Sequence, residues 1–206
     1  WWIRHAPVVN NDPASPPLIH GQMDVGADLS DSAALTRLAG ELPKDALWLT
    51  SGLSRASQTA EALRGCQDED IQAPVIVPAF NEQLFGDWQG LTHDRIANDH
   101  PDQARAFWAD YANAQPPGGE SFRDVMERVA PVVHLFCRDN PGADIIAIAH
   151  AGPIRAALAL ALDLTPEKAL SLDIDNLSLS RIDWLENPSQ EGGVWRPGRV
   201  NQRAFK

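Results

Sequence analysis

Three apolar stretches of strand length each lead into a cationic or titratable side chain. The stretches are 1–3, 46–50 and 144–149, and the side chains that follow them are Arg4 and His5, Arg55, and His150. Short apolar runs of this kind predict buried β-strands. If the strands are parallel, their carboxyl ends lie at one edge of the sheet, where ligands bind in open α/β proteins. The sequence therefore predicts a crevice that collects two arginines and two histidines.

Each of these side chains also has an ordinary structural interpretation. Taken alone, Arg55 would be interpreted as a solvated helix residue, and His150 as a strand-end histidine with its hydrogen bonds satisfied. An arginine–histidine pair after an apolar run, such as Arg4 and His5, also occurs by chance in many proteins. The joint placement favours a site, because all four side chains fall at equivalent strand ends.

Helical patterns alternate with the predicted strands. Leu35, Leu38 and Leu42 share one face of a helix over 29–42, for which Ser30 or Asp31 is the predicted N-cap. A second predicted helix is 54–63, with Ser54 as its cap, and two short helices interrupted near Pro101 are predicted over 93–111. Two more helices are predicted at 121–138 and from Pro153, as the first helical position, to 162. The other predicted strands are 74–78, 177–185 and 194–200, the last an edge strand with Pro197 at a bulge or at its end.

Alternation of strands and helices predicts the α/β class, here a three-layer α/β/α sandwich with a mostly parallel central sheet. The 206 residues show no internal repeat and no dividing linker. We therefore expect a single domain over 1–206, with a small helical insertion at about 91–118.

Composition excludes several classes of function. The net charge of −11 argues against nucleic-acid binding, which needs a basic face. An acidic surface can still contain a local cationic pocket for a small anion. No stretch is long and apolar enough to predict a membrane span. Cys66 and Cys137 match no metal or redox spacing and predict two reduced thiols. These features predict a cytoplasmic protein; the oligomeric state is left open, with a homodimer among the alternatives.

The predicted crevice has the chemistry of an anion site. Arginine forks match phosphate oxygens, and the helix that starts near Gly152 adds partial positive charge. A metal site is not predicted. The candidate ligands His5, His20, His93 and His150 lack the spacing that metal-binding histidines on one helix show.

With these residues in place, the sequence resembles the histidine phosphatase superfamily, also called phosphoglycerate mutase-like. Arg4-His5 resembles the start of its R-H-G signature. The other matching stretches, in the family's order along the chain, are 51–60 (SGLSRASQTA), 82–90 (EQLFGDWQG), 118–121 (GGES) and 148–152 (IAHAG). The stretch around Arg55 is the longest and most specific match.

Three positions depart from the family pattern. Ala6 stands where glycine is usual and lacks glycine's freedom at positive φ. Pro7 has no N–H to donate to a phosphate or to the loop. The loop after His5 is therefore expected to differ in shape. Gln89 stands where an acidic residue is common, and we expect that change to matter little.

The resemblance implies a role for each matching residue. His5 attacks phosphorus and forms a phosphohistidine that water then cleaves. Arg4, Arg55 and His150 hold the phosphoryl oxygens and offset the charge of the transition state. Glu82 is the acid–base, with Asp87 as the rival carboxylate. The implied substrate-binding residues are Asn11, Gln22, Glu120 and Ser121. No cofactor is implied, and the partner is a small phosphate monoester.

The substrate is constrained less tightly. Mutases of the superfamily carry a long insertion for a second phosphate, whereas 91–118 is short here, so a phosphatase is favoured over a phosphoglycerate mutase. The stretches around Phe85, Trp108 and Trp195 resemble α-ribazole phosphatases of cobalamin biosynthesis, where a tryptophan could stack on the benzimidazole. For any single tryptophan, a role in the core is favoured over a role in stacking on the ligand. A broad-specificity sugar or nucleotide phosphatase and a catalytically silent phosphate-binding module stay open.

Overall fold

The computed structural model describes residues 1–9, 14–67, 72–186 and 193–203. Within them, six strands form one sheet in the order β3-β2-β4-β1-β5-β6. The strands are β1 (Trp2–Arg4), β2 (Leu47–Thr50), β3 (Val75–Ile76), β4 (Ile145–Ala149), β5 (Ser178–Glu186) and β6 (Gly193–Arg203). The first four are parallel, while β5 runs antiparallel to both of its neighbours. The predicted α/β class with a mostly parallel sheet is confirmed.

Helices cover both faces of the sheet. They are α1 (Ser32–Gly40), α2 (Ser54–Gly65), α3 (His93–Asp99), α4 (Pro101–Ala109), α5 (Phe122–Asp139), α6 (Ala151–Leu162) and α7 (Pro166–Leu170). Side chains alternate across a strand, so Trp2 packs in the core with α5 and α6, and Ile3 packs with α1 and α2 on the other face. The three layers follow from this alternation.

Two predicted helix starts are wrong in detail. Of the two predicted N-caps of α1, Asp31 is the one that caps the helix, and it accepts from the Ala34 amide. Ser54, however, is the first residue of α2 rather than its cap. The Ser54 amide and hydroxyl instead donate to the Asp24 carboxylate. Pro153 is the third residue of α6, not the first. Proline is tolerated there because amides of the first turn have no intrahelical acceptor.

The edge of the sheet carries the predicted proline. Pro197 lies inside β6, opposite Ile182, and a register irregularity separates this pair from the pair of Arg181 with Arg199. The bulge alternative is therefore confirmed. Proline is compatible with β6 because this strand has a neighbour on one side only.

The stretch 91–118 forms the two predicted short helices, α3 and α4, with Pro101 opening the second. Ile96, Ala104 and Phe107 pack with Ile19 and Trp88 in a small third apolar cluster. This cluster lies under the loop that follows Glu82. In the described part of the chain, no helix is long and apolar enough to cross a membrane.

Candidate active site

The ends of β1, β2 and β4 bring the predicted cationic and imidazole groups together. The His5 amide continues the ladder to the Ala149 carbonyl at 3.0 Å, so His5 leaves the sheet beside the end of β4. His150 is the N-cap residue of α6. Arg55, the second residue of α2, is only 2% exposed. All of these groups lie at the carboxyl edge of the sheet.

Arg55 joins the two histidines. Its Nε lies 3.3 Å from His5 Nε2 and 3.3 Å from His150 Nδ1, and the two imidazole rings are 4.8 Å apart at their centroids. A guanidinium N–H can only donate, so both of these ring nitrogens accept. Each ring therefore carries its proton on the other nitrogen and is neutral.

The remaining ring contacts agree with this assignment. His5 Nδ1 lies 2.6 Å from the Ala6 carbonyl oxygen, which can only accept, so Nδ1 holds the proton and Nε2 holds the lone pair. His150 Nε2 lies 2.7 Å from the Ser51 hydroxyl oxygen and donates to it. The lone pair of His5 Nε2 thus faces the side of the pocket occupied by the arginine.

Burial keeps both histidines neutral. Desolvation, together with the positive charges of Arg55 and Arg4, lowers the pKa of His5 to about 3, although the Ala6 carbonyl opposes the shift. Desolvation, followed by the charge of His5 and the nearby arginines, holds the pKa of His150 well below its ordinary value. An unprotonated imidazole at neutral pH is the state that a nucleophile needs.

The low pKa of His5 predicts an acid-dependent loss of stability. The unfolded chain takes up a proton at His5 near pH 6.5, whereas the folded chain does so only near pH 3, so unfolding becomes easier as the pH falls between these values. Between pH 7 and pH 5 this one group should reduce the free energy of unfolding by about 2 kcal/mol. Urea titrations at both pH values, with His5→Asn as comparison, measure the contribution. An identical pH dependence in the wild type and the variant would contradict it.

The turn at 21–23 binds the guanidinium of Arg55. The two terminal nitrogens of Arg55 donate to the carbonyls of Met23 at 2.8 Å and Gly21 at 2.7 Å. Gly21 has φ +49°, and a Cβ there would lie 2.3 Å from Gln89 Oε1, so the turn requires glycine. These contacts fix the plane of the guanidinium.

Gln89 and Gln22 tie this turn to the loop that carries Glu82. Gln89 Oε1 accepts from the Gln22 amide at 2.7 Å, and Gln22 Nε2 donates to the Glu82 carbonyl at 2.9 Å. Gln89 acts here through an oxygen, which an acidic residue would also supply. Gln22 therefore lies beside the crevice, and its side-chain amide donates to the Glu82 carbonyl.

Glu82 lies at the mouth of the crevice against the start of α6. Its Oε1 accepts from the Gly152 amide at 3.0 Å and from the Gln83 amide at 2.9 Å. A Cβ at Gly152 would lie 2.5 Å from that oxygen, so glycine permits the approach. Burial lowers the pKa of Arg4 and of Arg55, and the Glu82 carboxylate partly offsets both shifts, which places it near both guanidiniums.

The rival carboxylate faces elsewhere. Asp87 is exposed, and its Oδ1 lies 3.7 Å from where a Cβ on Gly118 would stand. Of the two carboxylates, Glu82 is the one that the structure brings to the arginines.

Arg128 on α5 supports the Glu82 loop, and nothing in the sequence pattern singled it out. Its guanidinium donates to the carbonyls of Ala79, Asn81 and Glu82 and to both carboxylate oxygens of Glu120, the latter at 2.8 and 3.0 Å. One guanidinium therefore holds three backbone carbonyls within residues 79–82. Only the folded chain brings residue 128 to the Glu82 loop.

The predicted substrate contacts beyond Gln22 are placed less directly. Glu120 pairs with Arg128 and accepts from the Leu84 amide at 2.9 Å. Ser121 caps α5 in a reciprocal capping box with Asp124, as the sequence predicts. Both side chains thus hold the scaffold, and their contact with substrate stays a prediction. Asn11 lies outside the described residues.

A second unforeseen residue holds the backbone of His5. Asn176 Nδ2 donates to the His5 carbonyl at 2.8 Å, and the Leu177 amide donates to the Arg4 carbonyl at 3.0 Å. Leu177 has φ +55°, an uncommon conformation for leucine. The residues just before β5 thus fix the backbone of the Arg4–His5 pair from the side opposite β4.

Alanine fits at position 6. Ala6 is fully buried, it is not among the described residues with positive φ, and its amide donates to the Thr59 hydroxyl at 2.9 Å. The Pro7 carbonyl accepts from the Asp28 amide at 2.6 Å. The loop after His5 is therefore joined to the chain before α1. Among the described residues, no cluster of three or more His, Cys, Asp or Glu side chains could hold a metal ion.

Known proteins match this chain over most of its length. The family model described as the histidine phosphatase superfamily (branch 1) matches residues 3–191. A glucosyl-3-phosphoglycerate phosphatase of Mycolicibacterium vanbaalenii is 37% identical over 77% of this chain and 69% of its own length. The adenosylcobalamin/alpha-ribazole phosphatase of Escherichia coli is 28% identical over 66% of each chain.

A solved structure agrees with the fold. A mycobacterial glucosyl-3-phosphoglycerate phosphatase in complex with VO3 superposes with a TM-score of 0.79 at 28% identity, covering 98% of this chain and 97% of that one. The family match, these phosphatase relatives and the shared fold lead to one assignment: the chain belongs to the histidine phosphatase superfamily and is a phosphoric monoester hydrolase.

Proposed function

We propose that the chain transfers a phosphoryl group from a small phosphate monoester to His5 Nε2 and then to water. The observation that carries this proposal is the fixed, neutral state of His5. Its Nδ1 proton is held by the Ala6 carbonyl at 2.6 Å, and its Nε2 lone pair lies 3.3 Å from Arg55 Nε, where a phosphoryl oxygen would be bound. A bond forms between Nε2 and phosphorus while the bond from phosphorus to the ester oxygen breaks.

Arg4, Arg55 and His150 are proposed to hold the phosphoryl oxygens. Arg4 Nη1 is anchored on the Ile174 carbonyl at 2.6 Å, while its buried Nε has no hydrogen-bond partner among the described residues. A buried donor without a partner costs free energy unless a ligand satisfies it. The charge that this cage offsets in the transition state is the main catalytic contribution in phosphoryl transfer.

Glu82 is proposed to protonate the leaving oxygen and then to accept a proton from the attacking water. Both described hydrogen bonds of its carboxylate go to Oε1. Oε2 is therefore the oxygen that can face the leaving group. The electron pair of the broken P–O bond stays on the ester oxygen, which takes the Glu82 proton and leaves as an alcohol.

Among substrates, we propose a phosphorylated sugar acid of the glucosyl-3-phosphoglycerate type. This proposal is supported by the names of the mycobacterial relatives, whose identity to this chain reaches 37%. Alpha-ribazole 5′-phosphate is the second candidate, supported by the name of the Escherichia coli relative. The aromatic argument for it rests on the exposed Trp108, because Trp88 is buried in the core and Trp195 packs against Trp184 and His134 at the far end of β5.

Initial rates of phosphate release test the proposal. We expect inorganic phosphate from p-nitrophenyl phosphate and from glucosyl-3-phosphoglycerate, with a higher kcat/KM for the latter than for α-ribazole 5′-phosphate. Little conversion of 3-phosphoglycerate to 2-phosphoglycerate is expected. A protein that binds these esters without releasing phosphate would be a silent binding module, and efficient isomerisation would identify a mutase.

A further inference from the structure

A further guanidinium, outside the roles assigned above, lies next to the phosphate site. Arg155 is one turn beyond the start of α6, and helical side chains lean toward the N-terminus, here toward the catalytic edge. Its Nε donates to the Leu172 carbonyl at 2.8 Å. Arg4 donates to the Ile174 carbonyl, two residues further along the same segment. The two guanidiniums are thus anchored side by side on one short stretch of backbone.

The terminal nitrogens of Arg155 have no protein partner in the described part of the chain. Its one described hydrogen bond uses Nε, and no carboxylate of the described residues lies within 4.0 Å of it. Two other partly buried arginines of the described residues are paired with carboxylates, Arg128 with Glu120 and Arg181 with Asp183. A half-buried fork with free N–H groups is suited to bind a planar anion in bidentate fashion.

Tyr111 of the 91–118 insertion interacts electrostatically with Arg155. The ring of Tyr111 packs against Phe107 and Trp108 at centroid distances of 5.2 and 5.1 Å. Its hydroxyl has no hydrogen-bond partner among the described residues. Burial raises the pKa of Tyr111, the Arg155 charge opposes this shift and the Glu82 carboxylate adds to it, so the phenol lies within electrostatic reach of both groups.

We propose that Arg155 and Tyr111 form a second subsite, on the leaving-group side of the phosphate, that binds a carboxylate of the substrate. This inference rests on the phosphatase function proposed above and specifies its substrate class: phosphate esters of hydroxy acids, in which carboxylate and phosphate are a few bonds apart. One guanidinium with one neutral phenol matches a planar monoanion. Arg4 and Arg55 remain for the phosphoryl group.

Two esters with the same carbon skeleton test the subsite. 3-Phosphoglycerate carries a carboxylate where glycerol 3-phosphate carries a hydroxymethyl group, and p-nitrophenyl phosphate has neither. For the wild type we expect kcat/KM, measured as phosphate release, to be about 10- to 100-fold higher for 3-phosphoglycerate than for glycerol 3-phosphate. Arg155→Met should remove this preference and change the other two esters by less than about threefold, while Tyr111→Phe should reduce the preference by about three- to tenfold.

The matched control is Arg105→Met, which removes one exposed positive charge from the same insertion and should leave the preference intact. Equal rates of the wild type on the two matched esters would overturn the carboxylate subsite without any variant. Equal losses of Arg155→Met on all three esters would show that Arg155 only holds the segment around Leu172, and would also overturn it. If the wild type released no phosphate from any of the three, including p-nitrophenyl phosphate, the phosphatase proposal itself would fail.

Discussion

Replacing His5 with alanine is expected to reduce kcat by at least about 10⁴-fold on every phosphate ester. The substitution removes the lone pair that forms the covalent intermediate, so water would have to attack the ester directly. Arg4, Arg55 and His150 remain, and they are held by contacts that do not involve the His5 ring: the Ile174 carbonyl, the 21–23 turn and the Ser51 hydroxyl. KM is therefore expected to change by only a few-fold.

His100→Ala is the matched control, because His100 is exposed at the junction of α3 and α4 and its side chain caps neither helix. Circular dichroism and urea unfolding at pH 7 should show that both variants are folded. A His5→Ala protein that retains a tenth of the wild-type kcat would assign the nucleophile to another group.

Glu82→Gln is expected to separate the two chemical steps. Glutamine keeps an oxygen that can accept from the Gly152 amide, so the loop should stay in place. The first step should slow by about 10²- to 10⁴-fold for a sugar or glycerol phosphate, whose alkoxide needs a proton. It should slow by less than about tenfold for p-nitrophenyl phosphate, because p-nitrophenolate leaves without one.

Stopped-flow measurement of the first turnover isolates this step. With p-nitrophenyl phosphate, Glu82→Gln should show a burst of p-nitrophenol followed by slow turnover, because water then lacks its general base. Asp87→Asn, which changes the exposed carboxylate, should behave like the wild type. Equal slowing of the first step on both kinds of ester would remove Glu82 from the role of proton donor.

The strand ends could be predicted because their signal is local. An apolar run that stops at Arg4 and His5, or at His150, carries both the strand and its polar end within a few residues. A parallel sheet then brings such ends together whatever the intervening sequence is. The predicted edge strand with Pro197 and the capping box at Ser121 were found for the same reason, since each depends on neighbouring residues.

The supports of the site could not be predicted, because each joins residues far apart in the chain. Asn176 reaches back 171 positions to the His5 carbonyl, and Arg128 reaches 46 positions to the Glu82 carbonyl. Ser54 was taken for a helix cap because serine often caps helices, but Asp24 from another loop bonds its amide and hydroxyl instead. Tertiary partners of this kind override local preference, and a single sequence does not reveal them.

The central claim is that His5 Nε2 carries the phosphoryl group. The most direct measurement uses Glu82→Gln protein mixed with p-nitrophenyl phosphate, quenched in alkali during the slow phase and analysed by peptide mass spectrometry and ³¹P NMR. The account predicts one phosphoryl group per chain, bound through nitrogen to His5 at Nε2, and none when His5→Ala is combined with the same change. A phosphoryl group on His150, or a full burst of p-nitrophenol with no phosphorylated residue, would contradict it.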